Sequence, residues 1–184
     1  MKNDEILYHQ YQAGDENAAD QLVERYGDAL TIYIYGFTGN IHDAEDLMIE
    51  AFSLMFAKAR PVSEPGSFKG YLFKIGRNLA GRYKKKKVLK LLSFEELTFE
   101  PKSDILAETS VYGKERKLLL YNAMAKLKEE YREALYLVYF EDLSYRQAAA
   151  VMGKSESQIT KLVYRGKQSL KNILKKDGFD YEDK

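Results

Sequence analysis

Two histidines, His9 and His42, and no cysteine are all that this 184-residue chain offers in imidazole and thiol chemistry. No disulfide, thiolate metal site or thiol nucleophile is possible. Two isolated histidines leave little for a metal centre or a catalytic triad. Asp46 and Glu50, one helical turn apart, raise the idea of an acid/base or metal site. That spacing is common on a polar helix face, and no histidine or third acid cluster supports it. There is also no phosphate-cradling glycine loop. The residues therefore predict no catalysis of the chain's own, no cofactor and no metal. What the chain has instead is cations interleaved with aromatics and amides.

The formal net charge of +1 conceals segregated blocks. Residues 1–64 hold 12 acids and 4 bases, and residues 65–94 hold 9 bases and no acid. Residues 95–113 return to 5 acids and 1 base, and residues 156–176 hold 6 bases and 1 acid. Two basic blocks far apart in sequence suggest two separate contacts with something anionic. In the first, "GSFKGYLFKIGRNLAGRYKKKK" (Gly66 to Lys87), Lys69, Lys74, Arg77, Arg82 and Lys84 to Lys87 alternate with Phe68, Tyr71, Phe73 and Tyr83. Cations that neutralise phosphates give affinity through counterion release. Aromatics stack on unpaired bases, so this block suits DNA that is being opened. Phe68, Leu72 and Ile75 also read as core.

The second block lies in "EDLSYRQAAAVMGKSESQITKLVYRGKQSLKNIL" (Glu141 to Leu174). Ser144 with Gln147 and Ser155 with Gln158 spell two capping boxes. Gly153 ends the first helix in the left-handed conformation. The result is a helix-turn-helix, with small Ala148 at the crossing and Ile159, Val163 and Leu170 facing inward. Ser157, Gln158, Thr160, Lys161, Tyr164, Arg165, Lys167 and Lys171 face outward, together with the cap Ser155. Amides, hydroxyls and cations of this kind read base edges and phosphates in a major groove.

The elements that must position these residues are all helical. Asp15 caps a helix to about Phe37, with Leu22, Val23, Tyr26, Leu30, Tyr33 and Phe37 inward. Asn40 caps the next, to about Ala59, with Ala44, Leu47, Met48, Ala51, Leu54 and Met55 on its apolar face. "RPVSEPGS" (Arg60 to Ser67) is a loop, and a third helix runs from about Phe68 to Lys87. Met124, Leu127, Tyr131, Leu135, Val138 and Tyr139 suggest a helix or two before Asp142. The fold class is all-α: two small helical domains, 1–88 and 114–176, joined by a flexible linker over 89–113. Residues 177–184 form a short acidic tail. "ALYLVYF" (Ala134 to Phe140) is among the longest apolar stretches and is too short to span a bilayer. The start lacks a signal-peptide core. No membrane insertion and a cytoplasmic location are expected.

"DAEDLMIEAF" followed by "GSFKGYLFKIGRNLA" resembles the second conserved region of extracytoplasmic-function (ECF) sigma factors of bacterial RNA polymerase. "LKEEYREALYLVYFEDLSYRQAAAVMGKSESQITKLVYRGKQSL" resembles their fourth. Order, spacing and length agree over nearly the whole chain. The resemblance implies an alternative sigma factor, which directs promoter recognition, −10 melting and transcription initiation. It implies docking of Asp46, Leu47, Glu50 and Phe52 on the beta-prime clamp helices of core polymerase. It places Phe68, Tyr71, Arg77 and Asn78 on the −10 element, within a basic set that adds Lys69, Lys74, Arg82 and Lys84. The Arg60–Ser67 loop would then hold a flipped-out base. The helix from Ser155 would read the −35 element. Core polymerase, including its beta flap, promoter DNA and an anti-sigma factor are the implied partners. Ile49 stands where the family usually has glutamine, and Thr160 and Leu162 where it often has lysine and arginine. The alternative reading is a helix-turn-helix transcriptional regulator that is not a polymerase subunit; it leaves the Gly66–Lys87 block unexplained. Under the sigma reading, the free chain should bind duplex DNA poorly.

Overall fold

The computed structural model describes residues 3–57, 62, 66–93 and 119–178. Every regular element among them is helical: α1 (Asp4–Gln12), α2 (Glu16–Thr38), α3 (Ile41–Ala57), α4 (Ser67–Ser93), α5 (residues 119–125), α6 (Glu129–Leu135), a π-helix (Tyr136–Phe140), α7 (Tyr145–Met152) and α8 (Glu156–Lys176). The caps fall where local chemistry dictates. Asp15 accepts from the Asn17 amide at 3.1 Å, and Asn40 from the Asp43 amide at 3.1 Å. α1 lies ahead of the first helix that periodicity marks; Asn3 caps it, and it buries Leu7 and Tyr8.

α1–α4 form one layer of packing around α2. Leu22, Tyr26, Leu30 and Tyr33 are inside as expected, joined by Ile34, whereas Val23 is exposed. α4 crosses α2 at Gly76, where a Cβ would lie 2.8 Å from Leu30 Cδ1 and 3.3 Å from Ile34 Cδ1. α4 also departs from the simple pattern of one apolar stripe. Phe68, Leu72 and Leu79 face α1–α3, while Phe73 and Ala80 are buried too. A helix lined on both sides carries little amphipathic signal. It also extends to Ser93, past the expected Lys87 and into the range read as linker. The linker beyond Ser93 lies outside the described residues, as do most of the Arg60–Ser67 loop and the tail beyond Gly178.

α7 packs on the second side of α4, and α6 reaches α4 through the Arg77–Glu133 and Lys84–Glu129 pairs. The two halves of the chain therefore share one hydrophobic core, in which the Tyr33 and Tyr136 rings stack 5.8 Å apart. The π-helix explains a register change. Helical spacing puts Leu135, Val138 and Tyr139 inward. Leu135 is buried as expected and Val138 half-buried, but the widened turn, closed by the Glu141 amide donating to the Tyr136 carbonyl at 3.1 Å, also buries Tyr136 and Leu137 and exposes Tyr139. π-turns of this kind often sit at functional sites. Asp142 follows with φ of 50°, left-handed and unusual outside glycine.

The helix-turn-helix matches its sequence reading in detail. Both capping boxes form, with Ser144 to Gln147 and Ser155 to Gln158, and Gly153 is left-handed at φ 64°. Ala148, Ile159 and Val163 are buried, and Leu170 is half-buried. Gly166 adds a close crossing: a Cβ there would lie 3.2 Å from Leu135. Replacing Gly76 by alanine should destabilise the chain by ~1–3 kcal/mol, because the added methyl overpacks a filled contact. Denaturant unfolding measures this, and an unchanged midpoint would show that α4 does not cross α2 so closely.

Candidate nucleic-acid interface

The residues singled out on α4 divide between two faces. One face lines a groove with α3, of about 340 Å³, bounded by Leu54, Tyr71, Ile75, Asn78 and Arg82. Tyr71 and Asn78 thus meet an aliphatic floor supplied by Leu54 and Ile75, two contributions that charge patterning alone does not point out. The edge of the groove is charged: Arg82 lies 3.8 Å from Glu50 of α3. Lys74 is exposed, as are Lys84 to Lys87. An apolar floor with an amide and a guanidinium at the rim suits a planar base held beside a phosphate.

The other face of α4 meets the C-terminal half. Arg77 Nε donates to Glu133 Oε1 at 2.6 Å, and the Tyr33 hydroxyl donates to the same oxygen at 2.8 Å. Glu133 is 4% exposed, so this carboxylate depends on those donors. Burial works against the Arg77 charge, yet the Glu133 hydrogen bond and charge outweigh it and raise its pKa. Burial, then Glu133, also raises the Tyr33 phenol well above its ordinary value. Lys69 Nζ pairs with Glu141 Oε2 at 3.0 Å and donates to the Glu141 carbonyl at 2.6 Å. Lys84 pairs with Glu129. Tyr136 donates to the Ala29 carbonyl at 3.0 Å, and Arg132 Nη2 to the Gly36 carbonyl at 2.7 Å. Glu129, Glu133 and Glu141 escape a sequence reading because their partners lie 45, 56 and 72 positions away.

Phe68 is fully buried, 5.4 Å from the Tyr8 ring. Its backbone amide donates to buried Glu5 at 3.4 Å. Its side chain packs α4 onto α1 and α2 and presents no surface to DNA. On α3, Asp46 and Glu50 are exposed and Leu47 half-buried, as a docking strip requires. Phe52 is not part of that strip: it is 4% exposed and packs on Phe56 at 5.7 Å. Helical geometry turns it inward with Ala44, Ala51 and Met55. Ile49, 59% exposed between Asp46 and Glu50, takes its place as the apolar member of the outer face.

On α8 the nominated positions Ser155, Ser157, Gln158, Thr160, Lys161, Tyr164, Arg165 and Lys167 are all exposed. Four have internal duties, the first being Ser155, whose hydroxyl accepts from the Gln158 amide at 3.2 Å. Gln158 Oε1 accepts from the Ser155 amide at 2.8 Å, closing the capping box. Thr160 Oγ1 donates to the Glu156 carbonyl at 2.9 Å. Lys167 Nζ sits 4.4 Å from the centre of the Tyr139 ring, a cation–π contact. Lys161, Tyr164 and Arg165 form the outward centre of the helix. Among the described residues no group of acids and histidines is arranged to hold a metal ion, and no helix is long and apolar enough to cross a membrane.

The buried phenols set an alkaline limit. Tyr33 and Tyr136 are raised above 10 chiefly by burial, and Tyr83 is pushed up to about 12 by burial and its 2.5 Å bond to Asp43. The folded chain keeps these protons where the unfolded chain loses them near pH 10. The contribution is present below that pH and is lost as pH rises toward the folded values. The urea midpoint should be lower at about pH 11 than at about pH 8, and Tyr33→Phe should shrink the difference. An equal or higher midpoint at the alkaline pH would contradict the burial of these phenols.

Known families match both halves. Sigma-70 region 2 matches residues 22–88, and Sigma-70, region 4 matches residues 117–170. Among curated relatives, the ECF RNA polymerase sigma factor SigE of Mycolicibacterium smegmatis is 30% identical over 89% of this chain and 65% of its own length. BldN of Streptomyces coelicolor is 29% identical over 93% and 66%, and SigW of Bacillus subtilis 26% identical over 90% and 94%. The chain thus spans just under two thirds of SigE and BldN. Among solved structures, RpoE of Bartonella quintana, in complex with the anti-sigma factor NepR, superposes with a TM-score of 0.72. It is 23% identical and covers 85% of this chain and 96% of that one. CnrH, in complex with the cytosolic domain of CnrY, gives 0.66 at 24% identity over 95% and 98%. With regions 2 and 4 in order over well more than half of its length, the chain belongs to the sigma-70 family of RNA polymerase sigma factors, as a member of its ECF group.

Proposed function

We propose that the chain acts as an alternative sigma factor, binding core RNA polymerase and directing it to promoters. The observation that carries this is the pairing of a charged, aliphatic-floored groove on region 2 with an outward cationic helix on region 4. One suits an unpaired strand and the other a duplex major groove. Asp46, Glu50, Ile49 and half-buried Leu47 on α3 offer an acidic and apolar strip for the polymerase beta-prime clamp helices. Tyr71, Asn78, Arg82 and Lys74 serve the −10 strand, with Lys69, Arg77 and Lys84 adding phosphate contacts. Lys161, Tyr164 and Arg165, flanked by Ser157, Thr160 and Lys167, serve the −35 duplex. The beta flap is the expected second polymerase contact, and an anti-sigma factor the expected inhibitor. The chain works in the cytoplasm and performs no catalysis itself.

Reconstituted transcription tests this. The chain is mixed with bacterial core polymerase and fragmented DNA of its own genome, and transcript starts are mapped. Discrete starts sharing −10 and −35 sequences are expected. Starts no different from those of core polymerase alone would favour the regulator reading. On the promoter so found, Lys161→Ala should lower the salt dependence of holoenzyme binding by a slope of about 1, as loss of one phosphate contact does. An unchanged slope would remove Lys161 from the interface.

A further inference from the structure

The short helix α1 carries two polar side chains on its buried face, Glu5 and Tyr8, one helical turn apart. Each reaches the end of a different helix. The Tyr8 hydroxyl donates to the Met55 carbonyl at 3.2 Å, in the last turn of α3. Glu5 Oε1 accepts from the Phe68 amide at 3.4 Å, in the first turn of α4. Both are backbone groups that a helix end leaves without a partner inside the helix. A carboxylate also suits the positive end of the α4 dipole. Ring contacts follow the same path: Tyr11 packs on Phe56 at 4.6 Å, and Tyr8 on Phe68 at 5.4 Å. Asp4 in turn anchors α1 to α2, accepting from Arg25 and from the Tyr26 hydroxyl.

The two tied positions adjoin the walls of the groove that holds Tyr71 and Asn78. Leu54 of the groove precedes Met55, and Tyr71 lies one turn beyond Phe68. We propose that α1 is the brace that sets the spacing of α3 and α4 at that groove, and that Glu5 and Tyr8 are positioning residues for the unpaired −10 strand, which neither touches. Untied helix ends fray, and a binding site works only while its walls are held to within about 0.5 Å. The ties act on the end of one wall and the start of the other, so losing either lets the walls drift. Asp46 and Glu50 lie more than a turn back along α3, and α8 is joined to neither tie. Polymerase docking and −35 reading therefore do not depend on the brace, and −10 opening does. The strand as occupant rests on the sigma reading; the bracing of the groove does not.

Three variants of the full chain separate positioning from mere stabilisation. Tyr8→Phe removes only the hydroxyl. Glu5→Met removes the acceptor at similar length. Glu5→Gln loses the charge but keeps an oxygen that accepts from the Phe68 amide. The probe is promoter DNA found by start mapping, with a fluorescent adenine analogue in the −10 element. Holoenzyme carrying Tyr8→Phe or Glu5→Met should open it about fivefold more slowly, the worth of one hydrogen bond. Binding to the same DNA before opening should match the parent, and Glu5→Gln should match the parent in both. Spin labels on Ser53→Cys in α3 and Lys74→Cys in α4, both exposed in a chain without cysteine, report the spacing of the walls. Their distance distribution should broaden in Tyr8→Phe and Glu5→Met and not in Glu5→Gln. Circular dichroism checks that helix is retained; if Glu5→Met fails to fold, Tyr8→Phe decides. Parent opening rates in the folded variants, an equal loss of binding before opening, or a Glu5→Gln chain as slow as Glu5→Met would overturn the proposal. Mapped starts with unchanged distances would sink the brace alone, and changed distances without discrete starts would sink the sigma reading alone.

Discussion

A carboxylate sealed between two halves of a chain must find donors or lose its charge, and Glu133 finds Tyr33 and Arg77. Removing one partner of a buried pair typically costs about 3–5 kcal/mol, because the other charge is left stranded. That constraint ties α6 to α2 and α4 together and fixes the face of α4 that each half may use. Lys69 with Glu141, Tyr136 with Ala29 and Arg132 with Gly36 align along the same seam. The groove beside Tyr71 and Asn78 lies toward α3, while the acids of the C-terminal half pair with Lys69, Arg77 and Lys84.

Electrostatics then distribute the work. Glu45, Asp46 and Glu50 of α3 face outward, and Lys161, Arg165 and Lys167 face outward on the far helix of the helix-turn-helix. α4 is divided, with one side lining the groove toward α3 and the other paired with the C-terminal half. A protein near neutral overall carries separate surfaces of each sign, which suits contact with both a cationic protein face and DNA. In the proposed function, stability and DNA binding draw on the same guanidinium and ammonium groups, so a change at Arg77 is expected to alter both.

Features that depend on neighbours in sequence were legible. The two capping boxes, the Gly153 turn, the Asp15 and Asn40 caps and the outward set on α8 all follow from residues within a few positions of one another. Features that depend on distant partners were not. α4 buries two stripes, and a two-sided helix reads as a weakly patterned one. The π-turn slides the register by its own width, so Tyr139 emerges where spacing puts it inside. Phe52 and Phe68 lie in motifs that mark contact surfaces, yet helix geometry turns both into the core. Family likeness transfers a motif; the direction of each side chain still comes from packing. Ile49, which departs from the family pattern, stands in the outer strip.

The seam rests on the contact between Arg77 and Glu133, and a double-mutant cycle tests it most directly. Arg77→Gln, Glu133→Gln and the pair are unfolded in denaturant under one condition. The account predicts a coupling of about 1.5–3 kcal/mol, as for a buried hydrogen bond to a charged group. Additivity within ~0.5 kcal/mol, the value for independent sites, would mean that the two residues do not meet in the folded chain.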